Sequence, residues 1–150
     1  MVDLLVLDAS AILDAARPGA RFDLMSRLQE RFAARAPALL AWEIGSVAHG
    51  RMSASFGRTP AMRASAVELM LAGIELVPTD EASRTRSGAL AQGHGLTFYD
   101  ASYVELAARD DSTCLVTQDK ALLRAARREM GDERAALLDE AAQLLVRVGE

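Results

Sequence analysis

Cysteine is almost absent from this chain of 150 residues, Cys114 being the only one. It cannot form an internal disulfide, and it lies in an apolar, strand-like run, which fits a reducing compartment. Histidine occurs twice, at His49 and His94, in no spacing that binds zinc or serves as a catalytic base. His94, between Gly93 and Gly95, reads as a loop residue. No apolar run reaches the roughly 18 residues needed to span a membrane. A basic segment leading into a signal-type apolar region is also missing, since Asp3 follows almost at once. The expectation is a cytoplasmic protein without a membrane anchor. Lysine is scarce too, Lys120 standing beside sixteen arginines. The 17 basic and 21 acidic residues give a net charge of −4, which argues against nucleic-acid binding through a broad basic surface. That argument weakens if four acids are committed to a metal, because the remaining charges then balance.

With 51% hydrophobic and 25% charged residues, the composition predicts a single globular domain over residues 1–150. Leu4–Leu7 reads as a short buried strand, and Ala9–Ala16 as a brief helix stopped by Pro18-Gly19. An amphipathic helix is expected from Arg21 to Arg35, with Leu24, Met25, Leu28 and Phe32 on one face. Arg27, Arg31 and Arg35 form a solvated stripe on another face, and Pro37 ends the helix. Leu39-Leu40 leads into a helix over about Trp42–Met52, whose apolar face Met52 and Phe56 extend. Gly57 through Pro60 is a turn, Ala61–Leu71 a helix and Ile74–Val77 a strand. Thr79-Asp80 caps a helix to about Ala91, and Phe98-Tyr99-Asp100 introduces another from Ala101 to Arg109. Cys114–Thr117 is a third strand, followed at once by the helix Lys120–Glu129, and Ala135–Val148 mixes both signals. Strands separated by helices predict a three-layer α/β sandwich with a mainly parallel central sheet.

Acids punctuate this pattern. Asp8 follows the first strand and Asp119 the third, so both belong at the carboxyl edge of a parallel sheet. Asp100 begins the helix that runs back before the third strand, and Glu43 begins the helix after Leu39-Leu40. Each taken singly is explained by helix capping, since Asp and Ser accept unpaired backbone N–H groups. Four together are harder to explain. Two carboxylates about 4 Å apart repel by about 4 kcal/mol at an effective dielectric of 20. They must protonate, spread apart or share a cation. Oxygen ligands alone favour Mg²⁺ or Mn²⁺, ions suited to activating water against a phosphodiester.

The segments V-L-D-A-S-A-I-L, A-W-E-I-G-S-V, T-F-Y-D-A-S-Y-V-E-L-A and L-V-T-Q-D-K-A-L-L-R-A-A carry these acids. In that order they resemble the PIN-domain ribonucleases, and more narrowly the VapC-type toxins of bacterial toxin–antitoxin pairs. The resemblance implies a parallel sheet with helices on both sides and an acidic pocket binding Mg²⁺ or Mn²⁺. Asp8 and Asp100 would be the principal metal ligands, with Glu43 and Asp119 completing the pocket. Ser10 and Thr117 would be their hydrogen-bonding neighbours. The implied activity is RNA cleavage by an activated water without a covalent intermediate. The implied partners are a VapB-type antitoxin, seated in grooves between the early helices, and a second copy of the chain. Ser46 departs from the pattern, since many relatives carry Asn three residues after the glutamate.

Arg124, Arg127 and Arg128, on the helix after Asp119, are candidate contacts to the RNA backbone. Tyr99 and Tyr103 flank Asp100; Tyr99, and Trp42 next to Glu43, are expected to pack in the core beside the pocket, with stacking on an RNA base as the alternative. A haloacid-dehalogenase-like phosphatase is disfavoured, because the second aspartate it needs two positions after the first is Ser10 here. An RNA-processing nuclease without an antitoxin, and a non-catalytic interaction module, are the remaining alternatives.

Overall fold

The computed structural model describes residues 1–17, 19–48 and 60–149. Five strands, β1 (Leu4–Leu7), β2 (Ala33–Pro37), β3 (Ile74–Val77), β4 (Thr113–Val116) and β5 (Ala135–Ala136), form one sheet. All its pairings are parallel, in the order β3-β2-β1-β4-β5. Parallel neighbours need long crossovers, which helices supply. These are α1 (Ala9–Ala15), α2 (Ala20–Arg31), α3 (Leu40–Ala48), α4 (Pro60–Ala72), α5 (Glu81–His94), α6 (Phe98–Ala108) and α7 (Lys120–Met130), with α8 (Leu138–Arg147) closing the chain. Helices α5, α6 and α7 pack as one group, with α6 against β1, β2 and β4. Helices α1 to α4 and α8 form the other, with α2 against β2. Both faces of the sheet are covered, so its central strands read as continuous apolar runs: Leu5 to Leu7 and Thr113 to Val116 are buried throughout.

Replacing Leu115, fully buried in β4, with Ala leaves a void between two helical layers. The expected cost is about 2–5 kcal/mol, measured by urea unfolding.

The expected helix through Arg35 ends at Arg31; residues Ala33–Pro37 turn into β2 instead. Arg35 therefore leaves the supposed stripe. It lies opposite Glu75 in the β2–β3 register, and its Nε donates to the Glu75 carboxylate at 2.6 Å. His94 is not a loop residue but the last residue of α5, and its Nε2 pairs with Glu129 on α7 at 2.9 Å. Beyond it, Gly95 adopts the left-handed conformation (φ 65°) that closes α5 through the Ala91 carbonyl. The tail resolves into the two-residue β5 and α8. Pro18, His49, Met52, Phe56 and the turn at Gly57 lie outside the described residues.

The chain leaves β1 toward β2 and β3, then returns to β1's other side as β4. That reversal places the ends of β1 and β4 side by side, the position where open α/β sheets form a crevice.

Candidate active site

Asp8 is the first residue past β1 and is almost wholly buried. Its backbone N–H extends the ladder to the Val116 carbonyl at 3.0 Å, and its side chain caps α1 by accepting from the Ser10 N–H. The same oxygen, Oδ2, also accepts from the hydroxyls of Ser10 and, at 2.8 Å, Thr117. Those hydroxyls lie 3.2 Å apart and are tied in turn to the chain after β4. Gln118 N–H donates to Ser10 Oγ at 2.9 Å and Asp119 N–H to Thr117 Oγ1 at 3.0 Å. A short polar lattice thus locks the ends of β1 and β4 around one carboxylate oxygen. Oδ1 carries no hydrogen bond among the described residues.

Asp119 and Glu43 follow the same division. Asp119 Oδ1 caps α7 through Ala121 N–H (2.8 Å) and Leu122 N–H (3.0 Å), and Oδ2 has no bond among the described residues. Glu43, in the first turn of α3, accepts on Oε1 from the Tyr103 hydroxyl at 2.9 Å, leaving Oε2 unbonded. Asp100 sits in the first turn of α6, which Thr97 caps by accepting the Asp100 N–H at 3.1 Å. All four therefore stand at helix N-termini, where the macrodipole favours negative charge. For Asp8, Glu43 and Asp119 a structural role and a site at the rim are not alternatives; one oxygen serves the fold and the other is spare among the described residues.

Their charges are felt mutually. Burial is the main cause raising the carboxyl pKa of Asp8, Glu43 and Asp100 alike. The charge of Asp100 raises Asp8 further, Asp8 and Asp100 raise Glu43, and Asp119 raises Asp100. Hydrogen bonds from Ser10 and Thr117 to Asp8, and from Tyr103 to Glu43, partly offset this. Buried Tyr103, beside the Glu43, Asp8 and Asp100 charges, is held far above the ordinary phenol range.

The donor set suits a hard cation in type and sign: carboxylate oxygens only, mutually repelling, with spare lone pairs. It is not a finished chelate. Among the described residues, no three His, Cys, Asp or Glu side chains are grouped to hold an ion as they stand. None of the four acids lines the groove of about 380 Å³ formed by Phe22, Met62 and Leu69. The site is an open rim whose carboxylates must close in to share a cation.

Tyr103, given no role by sequence reading beyond flanking Asp100, is the functional neighbour that the structure adds. Its spacing, three residues after Asp100 on one helix, is the signal that puts both on one side of α6. Ser46, in contrast, donates its hydroxyl to the Trp42 carbonyl of its own helix at 2.9 Å and takes no part in the site. Trp42 and Tyr99 are largely exposed, against the expectation of core packing. Arg127 is committed to the fold, donating to the Ala135 carbonyl and to Glu140, whereas Arg124 and Arg128 stand exposed on α7. Among the described residues, no helix is long and apolar enough to cross a membrane.

No curated protein sequence matches the chain. The crystal structure of PAE2754 from Pyrobaculum aerophilum superposes with a TM-score of 0.69 at 28% identity, over 99% of this chain and 98% of that one. The crystal structure of VapBC2 from Rickettsia felis, bound to a DNA fragment from their promoter, gives 0.57 at 12% identity, over 89% and 98%. At that identity the second likeness is one of fold. The PIN domain family matches residues 5–128, ending within α7 and so taking in all four acids; the chain belongs to the PIN domain family.

Proposed function

We propose that this chain is a metal-dependent endoribonuclease acting as the toxin of a toxin–antitoxin pair, a single nuclease domain over residues 1–150 working in the cytoplasm. The observation that carries this reading is the division of labour at the rim: Asp8, Glu43 and Asp119 each spend one oxygen on the fold and keep the other free. Asp8, Asp100, Glu43 and Asp119 would hold Mg²⁺ or Mn²⁺, which when bound polarises the phosphodiester and lowers the pKa of an attacking water. Ser10 and Thr117 fix the Asp8 carboxylate, so it needs no reordering when substrate arrives. Glu43, more basic than an ordinary carboxylate and anchored by Tyr103, is placed to take a proton on Oε2. Arg124 and Arg128 supply phosphate contacts along α7.

The VapB-type antitoxin is supported by the fold shared with the VapBC2 complex. A homodimer is part of the same reading.

The test is cleavage of a mixed cellular RNA pool by the purified chain, with Mg²⁺ or Mn²⁺ and with chelator. Discrete cuts that need metal support the reading and reveal the target by end mapping. No cutting by folded, partner-free, metal-supplied protein would leave a non-catalytic module. Tyr103→Phe removes the donor that steadies Glu43; cleavage is expected to fall about tenfold, the usual scale of a lost hydrogen bond to a charged group. The acid limb of its pH–rate profile should move upward, because the hydroxyl holds the Glu43 pKa down.

A further inference from the structure

Three aromatic side chains stand in solvent: Trp42, Phe98 and Tyr99 are 81%, 44% and 63% exposed. The other described aromatics are covered, Phe32 and Tyr103 buried and Phe22 packed against the core. Single exposed apolar residues are ordinary; their placement here is not scattered. Trp42 immediately precedes Glu43, and Phe98-Tyr99 immediately precede Asp100. Consecutive Cα atoms are about 3.8 Å apart, so each ring's helix position adjoins a carboxylate of the rim. Phe98 leans toward α5, with its Cε2 4.0 Å from where a side chain on Gly88 would begin. Trp42 and Tyr99 are the most open.

A second feature starts at the fourth acid. Directly after Asp119, α7 carries Lys120, Arg124 and Arg128, all exposed and spaced four residues apart. This face runs about 12 Å at the helical rise. None of the three has an ion-pair partner among the described residues. Exposed rings next in the chain to two of the acids, and exposed cations on the helix that a third acid caps, match the two needs of a single strand, faces for its bases and positive charge for its backbone. A duplex keeps its base faces stacked inside and cannot use such rings.

We propose that Trp42 and Tyr99 are base-stacking residues that grip the nucleotides flanking the scissile phosphate of single-stranded RNA. The inference rests on the nuclease reading above and names the residues that hold the bases of its substrate. Stacking confines the enzyme to unpaired RNA and sets which bond reaches the acids.

Trp42 is the sole tryptophan, so fluorescence excited selectively at tryptophan reports that ring alone. The full chain carrying Asp100→Asn, to prevent cutting, is titrated with a short unstructured RNA of mixed sequence and with an equally long ribose-phosphate strand lacking bases. Saturable quenching by the base-bearing strand only is the expected result. End-labelled strands then give affinities for Trp42→Ala and Tyr99→Ala in the same background. Each should bind the base-bearing RNA about tenfold more weakly, bind the abasic strand unchanged, and be rescued by Trp42→Phe or Tyr99→Phe. Equal affinity for both strands, or alanine variants that bind like their parent, overturns the stacking assignment; the nuclease reading survives if unmutated protein still cuts RNA. Unmutated protein that neither binds nor cuts RNA sinks both. Alanine variants that lose self-association while binding RNA normally would assign the rings to a protein interface and reject the proposal.

Discussion

Asp8→Asn and Asp100→Asn are each expected to lower metal-supported RNA cleavage by about 10³-fold, the several kcal/mol that a lost metal ligand removes from transition-state stabilisation. The four acids should not respond equally. Asp8 is fixed by two hydroxyls, and an amide there presents an N–H₂ group where a lone pair is needed, in a place too buried to rearrange. Glu43→Gln keeps an oxygen for the Tyr103 hydroxyl and should lose less. Asp119→Asn should lose least, about tenfold, because the amide oxygen still caps α7 and only the outer oxygen changes. The readout is initial cleavage rate at saturating Mn²⁺, with circular dichroism to show that each variant folds. A flat series, with all four variants equally active, would remove the acids from the chemistry.

The second large effect is on stability, with a sign set by the metal. In chelator, the folded state holds protons on Asp8, Glu43 and Asp100 more tightly than the unfolded chain does. Between the ordinary carboxylate pKa near 4 and the raised values, the folded form therefore binds more protons, and stability falls as pH rises. Asp100→Asn deletes one repelling charge, so the chelated variant should melt roughly 2–4 °C above the parent near neutrality. The gap should close on acidification to about pH 4, where the unfolded carboxyls protonate as well. Saturating Mg²⁺ or Mn²⁺ should reverse the ranking. A ligand at one hundred times its Kd contributes about 2.7 kcal/mol, or roughly 5–10 °C for a chain of this size, to the parent alone. Scanning calorimetry across pH, with and without metal, checks both halves. A pH-independent melt indifferent to metal would mean that the rim is ordinary surface.

Most of the architecture was legible because its signals are local. β1 and β3 start and stop where their apolar runs do, and α5 and α7 begin at the acids that cap them. β2 was not legible. A-A-R-A-P contains no β-branched or aromatic residue, continues a helical pattern and ends in proline. It is a strand because β1 and β3 pair with it on both sides, and small Ala34 and Ala36 lie buried there. At the site, the acids could be read from position along the chain, but Tyr103 as the donor to Glu43 could not, since that bond joins helices sixty residues apart. Trp42 and Tyr99 were misjudged for a related reason: hydrophobicity predicts burial, and which side of a helix faces water is decided by neighbours in space. Arg127 looked like its neighbours Arg124 and Arg128 until β5 and Glu140 were in place to engage it.

The seat of Asp8 joins residues 109 positions apart. A growing polypeptide carries Asp8 and Glu43 long before it carries Thr117, so the first acid of the rim to be made is among the last to be fixed. Until β4 has emerged and inserted beside β1, no nascent chain can present the ordered rim, however many of its acids already exist. For a protein proposed to cut RNA while being translated from one, the order of synthesis is itself a safeguard: the blade is ground first and the handle fitted last.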